Sequence, residues 1–481
     1  MKLHVKSQIA VVFFAIWLAL WSWAAQLIFF DGETLLFYGF MVWFFAWVFW
    51  LSVLGLPKIP AIVILLAATL LQIALIIYHH YFQEPLTLAV AAHQWHEAGV
   101  FVTQTPSLWS DWRLWIFAAA GAANLVIYYK SAALLQNGRA LSAAAGLTLA
   151  VFAGFLVYTP ESSFDKSYFK NACTNFGYGF CWGYEAFNTH NRTEALAEIH
   201  ANRNKLPEIA ATEGYLLPRH IYLIQVESLA YDVINRLRRG KEITPFLNRL
   251  SRSAPLYRVT GKPEGASANT DFAVNAGTFI VQDYGAIYKL YPPEVLYEGL
   301  SLLPKIAAEK GYYPAFFHNF SGDFYDRRPH MAAQGYAERF FYDDMLNIKD
   351  KRLKVEDGEM FAFIRTQQQK FPREKTFTYI ITMSSHADYK VGGNPAPLIA
   401  DPKNELEDYF NAINYVDRSL EEFVTALPPN SLVLIFGDHG VVDFGYDGAA
   451  FIVFDPLNRP AAENRPISFA EFVARVRSYL Q

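Results

Sequence analysis

The sequence predicts a chain in two parts: an N-terminal bundle of five transmembrane helices over residues 1–160, and an extracytoplasmic α/β domain with a largely parallel central sheet over residues 219–481. Three observations carry this. The first third holds five long runs without one Asp, Glu, Lys or Arg. The last part alternates short, continuous apolar runs with helical patterns, as buried parallel strands and their crossover helices do. Several of those runs end in Glu, Asp or His, and it is beyond the carboxyl ends of such strands that α/β sheets bind their ligands.

Of the 481 residues 53% are hydrophobic and only 18% charged, against about 25% charged in an ordinary soluble protein. The deficit excludes an ordinary soluble enzyme, and it is concentrated at the N-terminus. Between Lys6 and Asp31 lie 24 uncharged residues; Thr34–Pro57 adds 24, Ile59–Gln83 25, Leu114–Tyr129 16 and Ala140–Pro160 21. About 20 apolar residues span a bilayer as a helix. Lys2 and Lys6, then Lys58, then Lys130 and Arg139 fall in alternate loops, which puts the N-terminus in the cytoplasm and everything after Pro160 outside. With 41 Lys+Arg against 45 Asp+Glu the net charge is −4, so there is no basic excess to bind nucleic acid.

Residues 161–218 read as a linker, with a helix at Thr193–Asn204. Cys173 and Cys181 lie in a Gly- and aromatic-rich stretch of it. In an oxidising exterior they are expected to form a local disulfide. Strands are expected at His220–Leu229, Pro314–Asn319, Thr376–His386, Ser431–Gly440 and Ala449–Phe454, with an amphipathic helix marked by Leu406, Phe410, Ile413, Val416, Leu420 and Phe423.

Glu227 and Ser228 close the first strand, His318 the second, His386 the third and Asp438-His439 the fourth. Charged groups placed directly after apolar strands must be hydrogen-bonded, paired or metal-bound, because a buried unpaired charge costs several kcal/mol; any one of them alone reads as a strand-end cap, the set together as a site. Glu, Asp and His without Cys suit one hard-to-borderline divalent cation, Mn²⁺ or Zn²⁺ ahead of Mg²⁺. A hydroxyl-rich loop, TGKPEGASANTDFAVNAGTF, runs between the first two strands and offers Ser267 and Thr270 as nucleophiles.

The set VESL (226–229), SANTDF (267–272), FHNFSGDFYDR (317–327), SSH (384–386) and FGDHG (436–440) resembles the membrane-anchored sulfatase-like transferases: lipoteichoic acid synthases, phosphoglycerol transferases and phosphoethanolamine transferases. The likeness covers roughly residues 218–450 and implies an α/β domain of the alkaline phosphatase/sulfatase type. By resemblance, Glu227, Ser267, Asp438 and His439 hold one divalent metal and Ser267 is the nucleophile, at a position where the family has Thr. His318, Tyr325, Arg327 and His386 bind the substrate phosphate and head group, and His318 or His386 protonates the leaving oxygen. Where lipoteichoic acid synthases have an acidic residue two after the first histidine, this chain has Phe320, with Asp323 nearby as a substitute. The implied reaction moves a phospholipid head group, phosphoethanolamine first and phosphoglycerol second, to an envelope glycan or lipid through a phospho-Ser intermediate. The implied setting is the bacterial inner membrane, with the catalytic domain on the periplasmic or extracellular side. A phosphodiesterase or phosphatase using water as acceptor is the alternative, and a non-catalytic envelope scaffold the remote one.

Overall fold

The computed structural model describes residues 190–480, apart from 204, 210–215, 219, 262–266, 282–285, 347–353, 373, 387–388 and 393, together with nine isolated helical positions between residues 59 and 122. Apart from those nine positions, the five expected spans lie outside the described residues, as does the Cys173–Cys181 pair. Among the described residues no helix is long and apolar enough to cross a membrane. The chain divides into two compact units at Thr189/His190, and the second, His190–Gln481, holds the α/β domain.

Its strands are β1 (His220–Val226), the small hairpin β2 (Leu237–Arg238) and β3 (Lys241–Glu242), β4 (Leu256–Thr260), β5 (Tyr313–His318), β6 (Glu338–Phe340), β7 (Thr376–Ile381), β8 (Ser431–Gly437), β9 (Ala449–Phe454) and β10 (Asn464–Ser468). All but the hairpin form one sheet in the order β10-β4-β9-β8-β1-β7-β5-β6. Five of its seven neighbouring pairs are parallel; β9 runs antiparallel to both β4 and β8. β7 and β8 are buried along their whole length, which is why they read as unbroken apolar runs rather than as alternating ones.

The five strands expected from sequence are present, and four stop earlier than the apolar and polar run together suggested. The first ends at Val226 because Ser228 adopts a left-handed backbone, φ 56°, and swings the chain out of the sheet. Val226 pairs with Gly437, Gln225 with Ile381, and His318 with Ile381. This register ends β1, β5, β7 and β8 at one level, so their polar tails leave the sheet side by side. Edge strands β6 and β10 gave no apolar signal: Asn464–Ser468 carries Arg465 and Pro466 and has only Ile467 buried, as edge strands tolerate.

One face of the sheet is covered by α2 (Pro245–Ser251), α5 (Asp357–Gln368) and α6 (Glu405–Val424), whose apolar residues join one core with Tyr222, Ile224, Val433 and Ile435. α6 starts at Asn404, whose side chain accepts from the Glu407 amide at 3.0 Å, with three acidic residues in its first turn to suit the helix dipole. Asp417 of α6 in turn accepts from the Phe246 and Leu247 amides at 2.8 and 2.9 Å, capping α2 from outside.

The other face carries α3 (Ser267–Ala276) and α7 (Phe469–Ser478), with Phe472 of α7 5.1 Å from both Phe436 and Phe451. α1 (His190–Asn202) is bound to this unit, since Asn202 donates to the Phe279 carbonyl at 2.8 Å and Thr278 to that of Ile199 at 2.5 Å.

Arg477 of α7 closes the C-terminal end of α3. Its guanidinium donates to the carbonyls of Val274, Asn275 and Ser301 at 3.1, 2.9 and 2.7 Å, and burial pulls its pKa down to about 10. The first two are orphan helix-end carbonyls, and a cation there also suits the dipole. Arg477→Met is expected to destabilise the protein by on the order of 3 kcal/mol, since bonds to charged groups contribute about 1.5–3 kcal/mol each and do not add fully. Thermal unfolding of the purified chain measures it; an unchanged midpoint would remove Arg477 from this role.

Candidate functional site

At the carboxyl edge of the sheet Glu227, Asp438 and His439 bring one ligand atom each within 4.8 Å of one another. Their backbones are fixed by close approaches that only glycine allows. A Cβ on Gly437 would lie 2.2 Å from the Leu229 carbonyl oxygen, and one on Gly440 2.1 Å from that of Tyr446. Both glycines of FGDHG therefore serve the placement of the Asp-His pair between them.

Each side chain of the cluster is oriented from behind. Asp438 Oδ1 accepts from the amides of Ser228 and His439 at 2.8 and 2.9 Å, which turns Oδ2 to 3.6 Å from His439 Nε2. His439 Nδ1 donates to the Gly440 carbonyl at 2.7 Å. A carbonyl can only accept, so this bond sets the tautomer and leaves Nε2 facing Glu227 Oε1 at 3.2 Å. Backbone-anchored Nδ1 with a presented Nε2 is how metal-ligating histidines are commonly held. Burial alone would raise the Glu227 carboxyl, but the hydrogen bond and charge of His439 outweigh it and hold it well below the usual carboxylate range. Burial would lower His439; the charges of Asp438 and Glu227 instead push it up to about 10. Two carboxylates and an imidazole facing inward fit a divalent cation.

Ser267 sits at the first turn of α3, and its hydroxyl donates to Glu227 Oε2 at 3.1 Å. Gln225 on β1 holds the Ser267 carbonyl at 3.2 Å and is itself held by the Tyr379 hydroxyl at 2.8 Å. Thr270, the other candidate, is 3% exposed and donates to the Asp438 carbonyl at 3.0 Å. Its hydroxyl is already engaged in bracing the cluster.

Asp271 lies one helical turn after Ser267, so both project on the same side of α3. It pairs with Arg327 Nε at 3.1 Å, both side chains being buried. Arg327 begins α4 (Arg327–Gln334) after two consecutive left-handed residues, Tyr325 at φ 59° and Asp326 at φ 53°, a conformation that non-glycine residues adopt at a cost of order 1–3 kcal/mol and that gathers at functional sites. The Tyr325 ring lies 5.5 Å from the Arg327 guanidinium and 4.9 Å from the Lys289 ammonium.

His318 is fully buried, and Arg327 Nη1 lies 3.0 Å from its Nε2. The guanidinium can only donate, so Nε2 accepts and Nδ1 donates to the Ile381 carbonyl at 3.3 Å. Burial and the Arg327 charge keep this imidazole neutral. His318 therefore orients Arg327 in this arrangement and has no Nε2 proton to give. His386 is partly exposed, and its charge reaches both Glu227 and His318. Phe320 is buried edge-on to Phe324 at 5.3 Å. Asp323 is 56% exposed and paired with Arg328 at 3.5 Å.

Residues 219–443 match the sulfatase family model. Over this stretch the α/β domain is similar to the sulfatases. Lipoteichoic acid synthase from Staphylococcus saprophyticus is 26% identical over 249 residues, 47% of this chain and 36% of that protein. Lipoteichoic acid synthase 2 from Bacillus subtilis is 24% identical over 288 residues, 52% and 43% respectively. The chain thus spans about two fifths of the length of these relatives. Among solved structures, the integral membrane protein lipooligosaccharide phosphoethanolamine transferase A from Neisseria meningitidis shares the fold at a TM-score of 0.56, with 14% identity over 98% of this chain and 95% of that one. The resemblance of the motifs to the sulfatase-like phospho-head-group transferases is borne out.

The α/β domain also contains a site residue that no motif marked, Tyr409. Ser228, through its amide and backbone twist, and Tyr409, whose hydroxyl donates to the Ser228 carbonyl at 2.8 Å, shape the Glu227 turn. Tyr409 lies on α6, far along the chain, and nothing in its neighbourhood sets it apart from an ordinary core tyrosine.

Proposed function

We propose that this chain transfers a phospholipid head group to an envelope glycan or lipid acceptor through a covalent phospho-Ser267 intermediate, at the outer face of the bacterial inner membrane. The observation that carries it is the Ser267 hydroxyl on the Glu227 carboxylate inside the Glu227–Asp438–His439 cluster, one helical turn from the Asp271–Arg327 pair. Glu227, Asp438, His439 and the Ser267 oxygen would hold one divalent cation, Mn²⁺ or Zn²⁺, which lowers the hydroxyl pKa and offsets charge developing on phosphorus-bound oxygens.

Ser267 Oγ, its proton passed to solvent, attacks the donor phosphorus. The bond from phosphorus to the glycerol oxygen breaks, and His386 protonates that oxygen so that diacylglycerol leaves. Arg327 binds the phosphate, with Tyr325 against the head group. An acceptor hydroxyl then gives its proton to His386 and attacks the phosphoserine, and Ser267 takes its proton back from solvent. Water in the acceptor's place would give the phosphodiesterase outcome.

The test is mass spectrometry of the full chain in detergent with Mn²⁺ and either phosphatidylethanolamine or phosphatidylglycerol. A head-group adduct that maps to Ser267 is expected, and its mass names the donor. An adduct on Thr270, or none with either lipid, overturns the proposal.

A further inference from the structure

Behind Arg327 runs a connected set of buried hydrogen bonds that the steps above do not use. Asp271 takes Arg327 Nε on one oxygen and the Tyr288 hydroxyl on the other. Gln334 Nε2 donates to the Tyr288 hydroxyl at 3.2 Å and to the Tyr297 hydroxyl at 2.7 Å. Tyr297 meets His330 Nδ1 at 2.9 Å, and His330 Nε2 meets the Tyr288 carbonyl at 2.8 Å. None of these side chains is more than 9% exposed.

The proton directions are forced. The Tyr288 carbonyl can only accept, so His330 carries its proton on Nε2 and its Nδ1 accepts from Tyr297. Burial lowers the His330 pKa to about 4, which agrees with a neutral ring. Tyr297 and Tyr288 both accept from the Gln334 amide, so the Tyr288 proton is left for Asp271. Two of the three guanidinium nitrogens of Arg327 are thereby fixed, Nε by Asp271 and Nη1 by His318. Nη2 is buried and has no hydrogen-bond partner among the described residues.

We infer that Tyr288, Gln334, Tyr297 and His330 are positioning residues: through Asp271 they hold the guanidinium plane so that Nη2 serves a phosphate group of the substrate. The inference rests on the assignment of Arg327 to phosphate in the proposed function. The physical reason is that arginine loses considerable side-chain entropy when ordered, and a donor misplaced by about 1 Å can forfeit about 10²-fold in efficiency. An apolar core would pack this volume equally well, so stability alone does not call for four linked polar side chains.

Tyr288→Phe removes one hydroxyl without changing shape. Calorimetric titration of the metal-loaded full chain with inorganic phosphate is expected to show about tenfold weaker binding in this variant, and about threefold in Tyr297→Phe, with cation affinity unchanged. In an Arg327→Lys background, Tyr288→Phe should add less than twofold. With lipid donor, KM should rise more than kcat falls. Wild-type phosphate affinity in both tyrosine variants, or an equal loss with and without Arg327, overturns the positioning role; the second variant decides if the first does not fold. If phosphate binding follows the expected pattern while no phospholipid is consumed, the positioning chain stands and the transferase proposal falls.

Discussion

Ser267→Ala is expected to lower head-group transfer by about 10⁴-fold or more, the scale on which nucleophile removal acts, and to abolish the covalent adduct. Its oxygen is hydrogen-bonded directly to a carboxylate oxygen of the cluster from the start of α3. Removing it leaves Glu227, Asp438 and His439 and their backbone anchors in place, so the protein should still take up cation, more weakly. Thr270 cannot substitute, because its hydroxyl is buried and committed to the Asp438 carbonyl. Ser267→Thr, which restores a hydroxyl, should recover a measurable part of the activity. Steady-state transfer of a labelled head group decides the matter: a Ser267→Ala variant retaining a tenth of wild-type turnover would remove Ser267 as nucleophile.

Asp438→Asn should cost at least about 100-fold in cation affinity, and transfer with it. Asparagine keeps the shape and can still accept the Ser228 and His439 amides on its oxygen, but it puts an N–H₂ donor where Oδ2 faces the cluster. Fold is retained and ligation is lost.

The same cluster fixes the pH dependence of cation uptake. His439, pushed up to about 10 by its carboxylate neighbours, must lose one proton to become a ligand, whereas Glu227, held low, is already ionised. Proton and cation compete, so affinity should climb about tenfold per pH unit between pH 6 and 8 and level off only near 10. Competition titrations with a chromophoric chelator measure this. A pH-independent affinity, or wild-type uptake by Asp438→Asn, would show that the cation binds elsewhere.

Much of the Glu227–Asp438–His439 cluster was legible in sequence. Glu227 and Asp438-His439 each come directly after an unbroken apolar strand, and in a parallel sheet strands that end together bring such residues together. The family likeness put Ser267 ahead of Thr270 as nucleophile candidate, and in the structure the Ser267 hydroxyl reaches Glu227 while that of Thr270 reaches the Asp438 carbonyl. His318 was legible as a site residue, but its part was not. Only the approach of Arg327 shows that its Nε2 is taken, which leaves His386 as the proposed proton donor.

By itself the sequence determined the α/β domain, its five central strands and the residues at their carboxyl ends, because burial of a strand and the helical period of α6 are properties of consecutive residues. It also determined the charge-free runs of the first third. Only the tertiary structure decided where the polar tails leave the sheet, which hydroxyl reaches Glu227, how Arg477 closes α3, and that Tyr288, Tyr297, His330 and Gln334 join behind Arg327. Those four stand as far as 46 residues apart in the chain, and each alone is an ordinary buried polar residue. Their role lies in which one donates to which, and that is settled only when packing brings distant donors and acceptors within hydrogen-bond reach.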